Sequence, residues 1–327
     1  MIAARVLAGG PGRGDVFAGA GAQGRLLAPL GWWLNDIALA VTVFVTILVV
    51  VAVLRRHQGE HPITEERVDD GETKGVRWIV GAVAGTTVIL FTMFVYTAVV
   101  LTKNADALHG AALTVRVVGY RYWWKFEYLR PNGHTDFVTA NELHIPAGQR
   151  VRLLLDGGDV IHSFWVPALG GKTDLIPGQT NRMWLEADSA GDYRGSCAEF
   201  CGTEHAMMRI LVVADSMDTF ARWEAQQRQP AQDSAPETGA ALALIGAHGC
   251  ASCHTIAGTD AHGDAGPDLT HVGSRMTLAA GTIDNTPLDL AHWLAAPNLV
   301  KPGSLMPSTG LDSADVATLV RYLRTLK

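Results

Sequence analysis

The sequence predicts a multidomain membrane protein: a two-helix transmembrane hairpin, then an all-β barrel or sandwich, then a small domain built around a covalent haem. Three observations carry this. Two apolar runs, near 33–54 and 78–101, are each long enough to cross a bilayer. Between Ala111 and about Ala214 the pattern changes to short alternating runs rich in β-branched residues. Residues 250–254 read C-A-S-C-H, the C-x-x-C-H signature of haem c attachment. At 327 residues the chain has room for about two globular domains. A hydrophobic content of 48% and a mean hydropathy of +0.15 agree with a membrane component. The net charge of −6 and pI near 6.0 give nucleic-acid binding no support.

Residues 1–30 are rich in Gly and Ala, show no signal-peptide pattern, and read as a flexible leader that is poorly ordered. The hairpin is expected over 31–103. Ile37 to Leu54 is apolar-dominated throughout; with Trp33 to Asp36 it makes about 22 residues, roughly 33 Å of helix. Trp32 and Trp33 suit the membrane interface, Asn35 and Asp36 a helix cap or a partner-facing position, and Arg55, Arg56 and His57 the other end. Trp78 to Leu101 is the second span. The loop between carries Arg67, Lys74 and Arg77, which place it in the cytoplasm and everything after Thr102 outside. Two buried core helices are the alternative; the lengths and the lack of a polar face oppose it.

In the next domain, 104–215, L-T-V-R-V-V-G, V-R-L-L-L-D and I-L-V-V-A read as strands, and N-E-L-H-I-P-A-G-Q-R as a strand and a turn at Pro146 to Gly148. Many short strands at close spacing indicate a sandwich or barrel. Gly119 to Tyr128, G-Y-R-Y-W-W-K-F-E-Y, is dense in aromatics. Its rings either fasten a strand to the barrel near the membrane surface or form a patch through which electrons enter. Residues 216–238 read as a helix, Ser216 to Gln229, and a Pro-, Ser- and acid-rich linker.

Four cysteines fall in two close pairs, which is cofactor arithmetic rather than a disulfide framework. The first pair lies in G-S-C-A-E-F-C-G-T-E-H-A-M-M, where Cys197, Cys201, His205 and Met208 recur every three or four residues. His162 stands upstream among aromatic and apolar neighbours in D-V-I-H-S-F-W-V-P. Thiols, imidazoles and a thioether are the ligands copper prefers. A structural zinc site and a Cys197–Cys201 disulfide are the alternatives, but zinc has little use for methionine. The second pair, Cys250 and Cys253, would form thioethers to the haem vinyl groups, with His254 on the iron. This domain, 239–327, closes on a helix with Leu311, Val316, Leu319, Val320 and Leu323 on one face.

The segment 195–208 with His162 resembles the dinuclear copper (CuA) loop of subunit II of haem-copper respiratory oxidases. The resemblance implies a cupredoxin-like β-barrel in which Cys197 and Cys201 bridge two copper ions, His162 and His205 bind one each, Met208 is a weak ligand and Glu199 lends its carbonyl. It also implies magnesium at the boundary with subunit I, through the Glu199 side chain. Asp174 and Arg182, near K-T-D-L-I-P-G, are implied contacts to that subunit. The family segment has tryptophan at the positions of Tyr122 and Trp124; the chain departs from it at Tyr122, and Tyr122, Trp123 and Trp124 are the candidates for the implied electron path. K-P-G-S-L-M-P at 301–307 resembles the ligand loop of class I cytochromes c, so Met306, with Met276 as competitor, is the second iron ligand of an all-α domain; G-P-D-L at Gly266 resembles the segment beside the proximal histidine.

Two thiolates shared between two copper ions spread one electron over the cluster and leave no open position for substrate. The implied role is therefore electron transfer from a cytochrome bc complex or soluble cytochrome c, through haem c and copper, to a haem in subunit I, with subunit III as a further partner. That subunit would reduce oxygen and translocate protons at the bacterial inner membrane, with the copper and haem domains outside. A flexible linker would hold the haem domain at an effective concentration of about mM. The alternatives are a nitric oxide reductase that uses dinuclear copper and a membrane-anchored electron carrier without a catalytic partner. A quinol oxidase subunit is disfavoured because the copper ligands are present.

Overall fold

The computed structural model describes residues 19–56, 65–106, 110–231 and 238–327. Helix α1 (Ala22–Arg56) from Leu26 onward and helix α2 (Glu65–Asp106) form a unit of their own, while the first turn of α1, through Arg25, belongs with the rest of the chain. Trp33 stacks on Tyr96 with ring centroids 5.8 Å apart, so the two helices lie side by side at that end. Their most apolar windows are 0% and 6% buried. Core helices bury such surface, so the exposure fits a membrane anchor.

Both helices outrun the apolar runs that predict them. Residues 1–18 of the expected leader lie outside the described residues; the rest of the leader is not loose. Ala20 donates its amide to the Ala168 carbonyl and Gly24 to that of Leu169, Asp188 returns a bond to Ala20, and Arg25 pairs with Asp188. Helix α1 then starts at Ala22 on A-Q-G-R-L-L, mostly good helix formers apart from Gly24, and continues through Pro29. Apolar run length reports the greasy part of a helix, not its polar first turns.

The second unit contains the β domain and the C-terminal domain. Ten strands make two five-stranded sheets. The first, in the order β3-β2-β1-β5-β8, uses Leu113–Tyr120 (β1), Trp123–Leu129 (β2), Thr135–Ala140 (β3), Val151–Gly157 (β5) and Asn181–Leu185 (β8). The second, β4-β10-β9-β6-β7, uses Glu142–Pro146 (β4), His162–Trp165 (β6), Thr173–Leu175 (β7), Gly191–Cys197 (β9) and Arg209–Asp215 (β10). Pairs β1–β5 and β4–β10 are parallel, the rest antiparallel. Alternation puts Val115, Val117, Leu153, Leu155, Leu143, Ile145, Ile210 and Val212 into one core between the sheets, with the rings of Trp124, Phe126, Tyr128 and Phe164. The aromatic stretch therefore supplies the core, and Trp124 and Phe126 are fully buried.

Helix α3 (Met217–Gln227) begins at Ser216, whose hydroxyl accepts the Thr219 amide. Trp223 lays its ring on His144 at 4.2 Å, and Arg228 at the helix end bonds Asp136 on β3 at 2.7 Å. A little burial raises the Asp136 carboxyl, but hydrogen bonds from Arg228 and Arg130 outweigh it and hold the carboxyl below the usual range. A carboxyl held low when folded stabilises above its unfolded pKa, and that stability is lost as pH falls through the folded value. Asp136→Asn should therefore lower stability by about 0.5–1 kcal/mol at neutral pH, since both arginines are partly exposed. Urea midpoints should differ at pH 7 and converge in acid; equal midpoints at pH 7 would contradict the arrangement.

The linker residues 232–237 lie outside the described residues. The C-terminal domain holds α4 (Thr238–Ala247), the two-residue strands β11 (Thr277–Leu278) and β12 (Ile283–Asp284), α5 (Pro287–Ala295), α6 (Pro297–Val300) and α7 (Ser313–Leu323). Asp312 caps α7 by accepting the Ala314 and Asp315 amides, and Val316, Leu319, Val320 and Leu323 face the core with Ala241, Ile245 and Leu294. The domain does not hang on a free tether. It shares one compact unit with the β domain, because Trp123 and Ala140 of the β domain bury a patch with Ala280 of the C-terminal domain.

Candidate metal and haem centres

Strand β6 begins with His162, fully buried, and strand β9 ends on Cys197. The two strands are neighbours, Phe164 pairing with Cys197, so two segments 35 residues apart meet at one end of the sandwich. Beyond Cys197 the chain turns back through Gly202, in the left-handed region at φ 129°, and a 3-10 turn at His205–Met207 before entering β10. The Cys197 Sγ lies 3.9 Å from Cys201 Sγ, 3.9 Å from His162 Nδ1 and 3.2 Å from the Glu199 carbonyl. The Cys201 Sγ lies 3.7 Å from His205 Nδ1 and 3.9 Å from the Met208 sulfur, which is fully buried. All six positions singled out in the sequence converge. At 3.9 Å the sulfurs are not bonded to one another, and all four cysteines are free.

Electrostatics favours a cation there. The hydrogen bond shared with Cys201 lowers the Cys197 thiol to about 3 against its desolvation, and His162 adds to the effect. The same shared bond, and then burial, push the Cys201 thiol up. The pair gives up one proton easily and resists losing the second. Two thiolates side by side in a buried pocket need a bound positive charge, which a metal brings. Burial lowers the His162 imidazole, but its bonds to Cys197 and Asp159 prevail and raise it.

The sequence reading passed over Asp159. Its Oδ1 accepts the His162 Nε2 proton at 2.8 Å, which turns Nδ1 towards the sulfurs. A carboxylate behind a ligating histidine is the usual orienting device. The signal was present as the D-x-x-H spacing. Room for the ring comes from Gly119, where a Cβ would lie 2.9 Å from the His162 ring. Glu199 itself points outward, its carboxylate 3.8 Å from Lys172 Nζ, and Phe200 beside it is 77% exposed.

In the C-terminal domain a mainly apolar cavity of about 210 Å³ is lined by Cys250, Cys253, His254 and Met306 among others. A 3-10 turn at Cys250–Ser252 presents the thiols. The His254 Nδ1 proton goes to the Pro267 carbonyl at 2.7 Å, which leaves Nε2 as the free ligand atom; burial lowers this imidazole. The buried Arg275 Nε lacks a hydrogen-bond partner and its residue lines the same cavity, so a carboxylate-bearing porphyrin fits the donor set. Met276 is 43% exposed and absent from the lining.

The cavity wall also includes Tyr122 and Trp123 of the β domain. The Tyr122 hydroxyl accepts the Thr203 amide at 3.2 Å, inside the copper-type loop, and Trp124 meets the His162 ring edge-on at 6.0 Å. All three aromatics expected on the electron path thus lie between or beside the two centres.

A largely buried pocket of soft side chains, in one compact unit with the cavity that carries Cys250, Cys253 and His254, defines a membrane-anchored electron-transfer protein. Comparison with known proteins makes the class specific. Residues 130–215 match the family described as cytochrome c oxidase subunit II, periplasmic domain, and 238–327 match cytochrome c. The chain is 32% identical over 295 residues to cytochrome c oxidase subunit 2 of Alkalihalophilus pseudofirmus, spanning 88% of this chain and 83% of that one. The Bacillus subtilis protein of the same name is 31% identical, over 85% and 81% of the two chains. The crystal structure of the periplasmic domain of subunit II of cytochrome oxidase from Bradyrhizobium japonicum aligns at 32% identity and TM-score 0.35, covering 37% of this chain and 96% of that one. The chain belongs to the cytochrome c oxidase subunit 2 family, with a cytochrome c domain at its C-terminal side. It is a subunit of an oxidoreductase complex, and its two domains imply copper and haem c.

Proposed function

We propose that this chain is the electron-input subunit of a respiratory haem-copper oxidase of the bacterial inner membrane. A cytochrome bc complex or soluble cytochrome c is the donor, and the acceptor is a haem in subunit I, where oxygen is reduced and protons are translocated. Subunit III completes the assembly. The hairpin crosses the membrane twice, with both redox domains on the outer side. The observation that carries this is the convergence of two thiols, two imidazoles and a thioether beside the cavity that holds Cys250, Cys253 and His254.

Cys197 and Cys201 would hold a dinuclear copper as thiolates, with His162 and His205 as imidazole ligands, Met208 as a weak sulfur ligand and Glu199 as a carbonyl donor. Asp159 holds the His162 ring. Cys250 and Cys253 would anchor the porphyrin covalently, and His254 and Met306 would ligate its iron. When bound, the two groups supply closely placed redox levels that exchange one electron with little rearrangement. The residues between them exclude water and offer packed aromatic contacts, through Tyr122, Trp123 and Trp124. The outward Glu199 carboxylate suits magnesium shared with subunit I.

Purification in mild detergent tests the role. A multi-haem subunit should accompany the chain, and the complex should consume oxygen when given reduced cytochrome c. A chain that purifies alone, or a complex that reduces nitric oxide but takes up no oxygen, overturns it.

A further inference from the structure

The loop 301–307 carries more than Met306. Lys301, at its start, is 3% exposed, and its ammonium crosses to the β domain to donate to the Tyr122 carbonyl at 2.9 Å, with a second bond to Ala279 at 3.2 Å. Two residues on, Gly303 lies so close to the copper-type loop that a Cβ there would sit 3.1 Å from Thr203 Cγ2 and 3.3 Å from Glu204 Oε1. Glu204 is 4% exposed, one of its oxygens has no hydrogen-bond partner, and its charge acts on Lys301.

A second charge crosses the same boundary the other way. Glu142 of β4 is 2% exposed, and its carboxylate accepts the amides of Met276 and Thr277, at 3.0 and 2.7 Å, and the Thr277 hydroxyl at 2.8 Å. Between the two charges lie the apolar patch of Trp123, Ala140 and Ala280, and the backbone bond from Arg209 to the Ala280 carbonyl at 3.1 Å. Apolar burial is non-directional and does not choose a register. Buried charges do: a shift of either domain would leave Lys301 with only the Ala279 carbonyl of its own domain and take all three donors from Glu142.

We infer that Lys301 and Glu142 form a reciprocal latch that locks the haem domain onto the β domain in one register, with Lys301 as the residue that positions the Met306 loop against Tyr122 and the copper-type loop. This deepens the proposed electron-input role, but the latch itself rests on the protein contacts alone.

Amide hydrogen exchange on the full chain in its detergent-solubilised complex tests it separately from oxygen uptake. Lys301→Glu places a carboxylate beside Glu204 at a buried boundary, where like charges repel strongly. Exchange at Arg209, Met276 and Thr277 should accelerate at least about tenfold, while amides inside α7 keep wild-type protection. Lys301→Arg should restore most of the protection, and Glu142→Ala should give the Lys301→Glu pattern. Electron transfer from the haem to copper after photoinjection should slow with the same ranking, with metal and haem content unchanged. Unchanged exchange at the boundary in both Lys301→Glu and Glu142→Ala overturns the latch. So does loss of protection throughout α7 in Lys301→Arg and Glu142→Ala alike, because it would make these residues supports of the haem domain's own fold.

Discussion

Cys197→Ser is expected to abolish copper binding while the sandwich stays folded. The Cys197 sulfur is the hub of the site, within 3.9 Å of both Cys201 Sγ and His162 Nδ1 and 3.2 Å from the Glu199 carbonyl. Serine keeps the shape but offers a hard hydroxyl that stays protonated, and copper selects soft thiolate. The measurement is metal content with electron paramagnetic resonance on the full chain. Wild type should show one unpaired electron shared by two coppers; the variant should show no copper signal and an unchanged far-ultraviolet dichroism spectrum. Asp159→Ala should be milder, weakening copper affinity by about 10–100-fold, as loss of an orienting carboxylate does. Copper retained in Cys197→Ser, or zinc in the wild type, would refute the assignment.

Met306→Ala should remove the sulfur–iron absorption band and lower the haem potential, because methionine opposite histidine raises it. The haem should remain attached, and acidified organic solvent should extract none from wild type or variant. Met276→Ala should leave the band intact, since that side chain lies outside the cavity. A band lost in Met276→Ala instead would reverse the ligand choice. A lower potential makes the first electron transfer into the chain less favourable, so steady-state oxygen uptake should fall as well.

The cluster of candidate ligands was legible because most of it is local. Cys201, His205 and Met208 sit on one loop at helix-like spacing, and Cys250, Cys253 and His254 on one turn. Even His162 could be named, since its apolar surroundings mark a water-poor position. The same reading fell short where evidence is not periodic. It gave only the apolar span from about 33, because the polar first turns of α1 carry no apolar signal. It left the placement of the haem domain open behind a flexible linker, because linker composition says nothing about what the domain touches.

What the residues alone determined is the order of the segments, the strand faces and which soft side chains were candidates for one cluster, all of which follow from short-range periodicity and side-chain chemistry. Only the tertiary structure decided the parallel pairings β1–β5 and β4–β10, the Asp159 bond that aims His162, and the crossing of Lys301 and Glu142 between domains. Lys301 and Tyr122 are 179 positions apart, and Glu142 and Thr277 are 135 apart. No local pattern links residues at such separations; they meet because burying the apolar patch between them leaves one register in which both charges keep their partners.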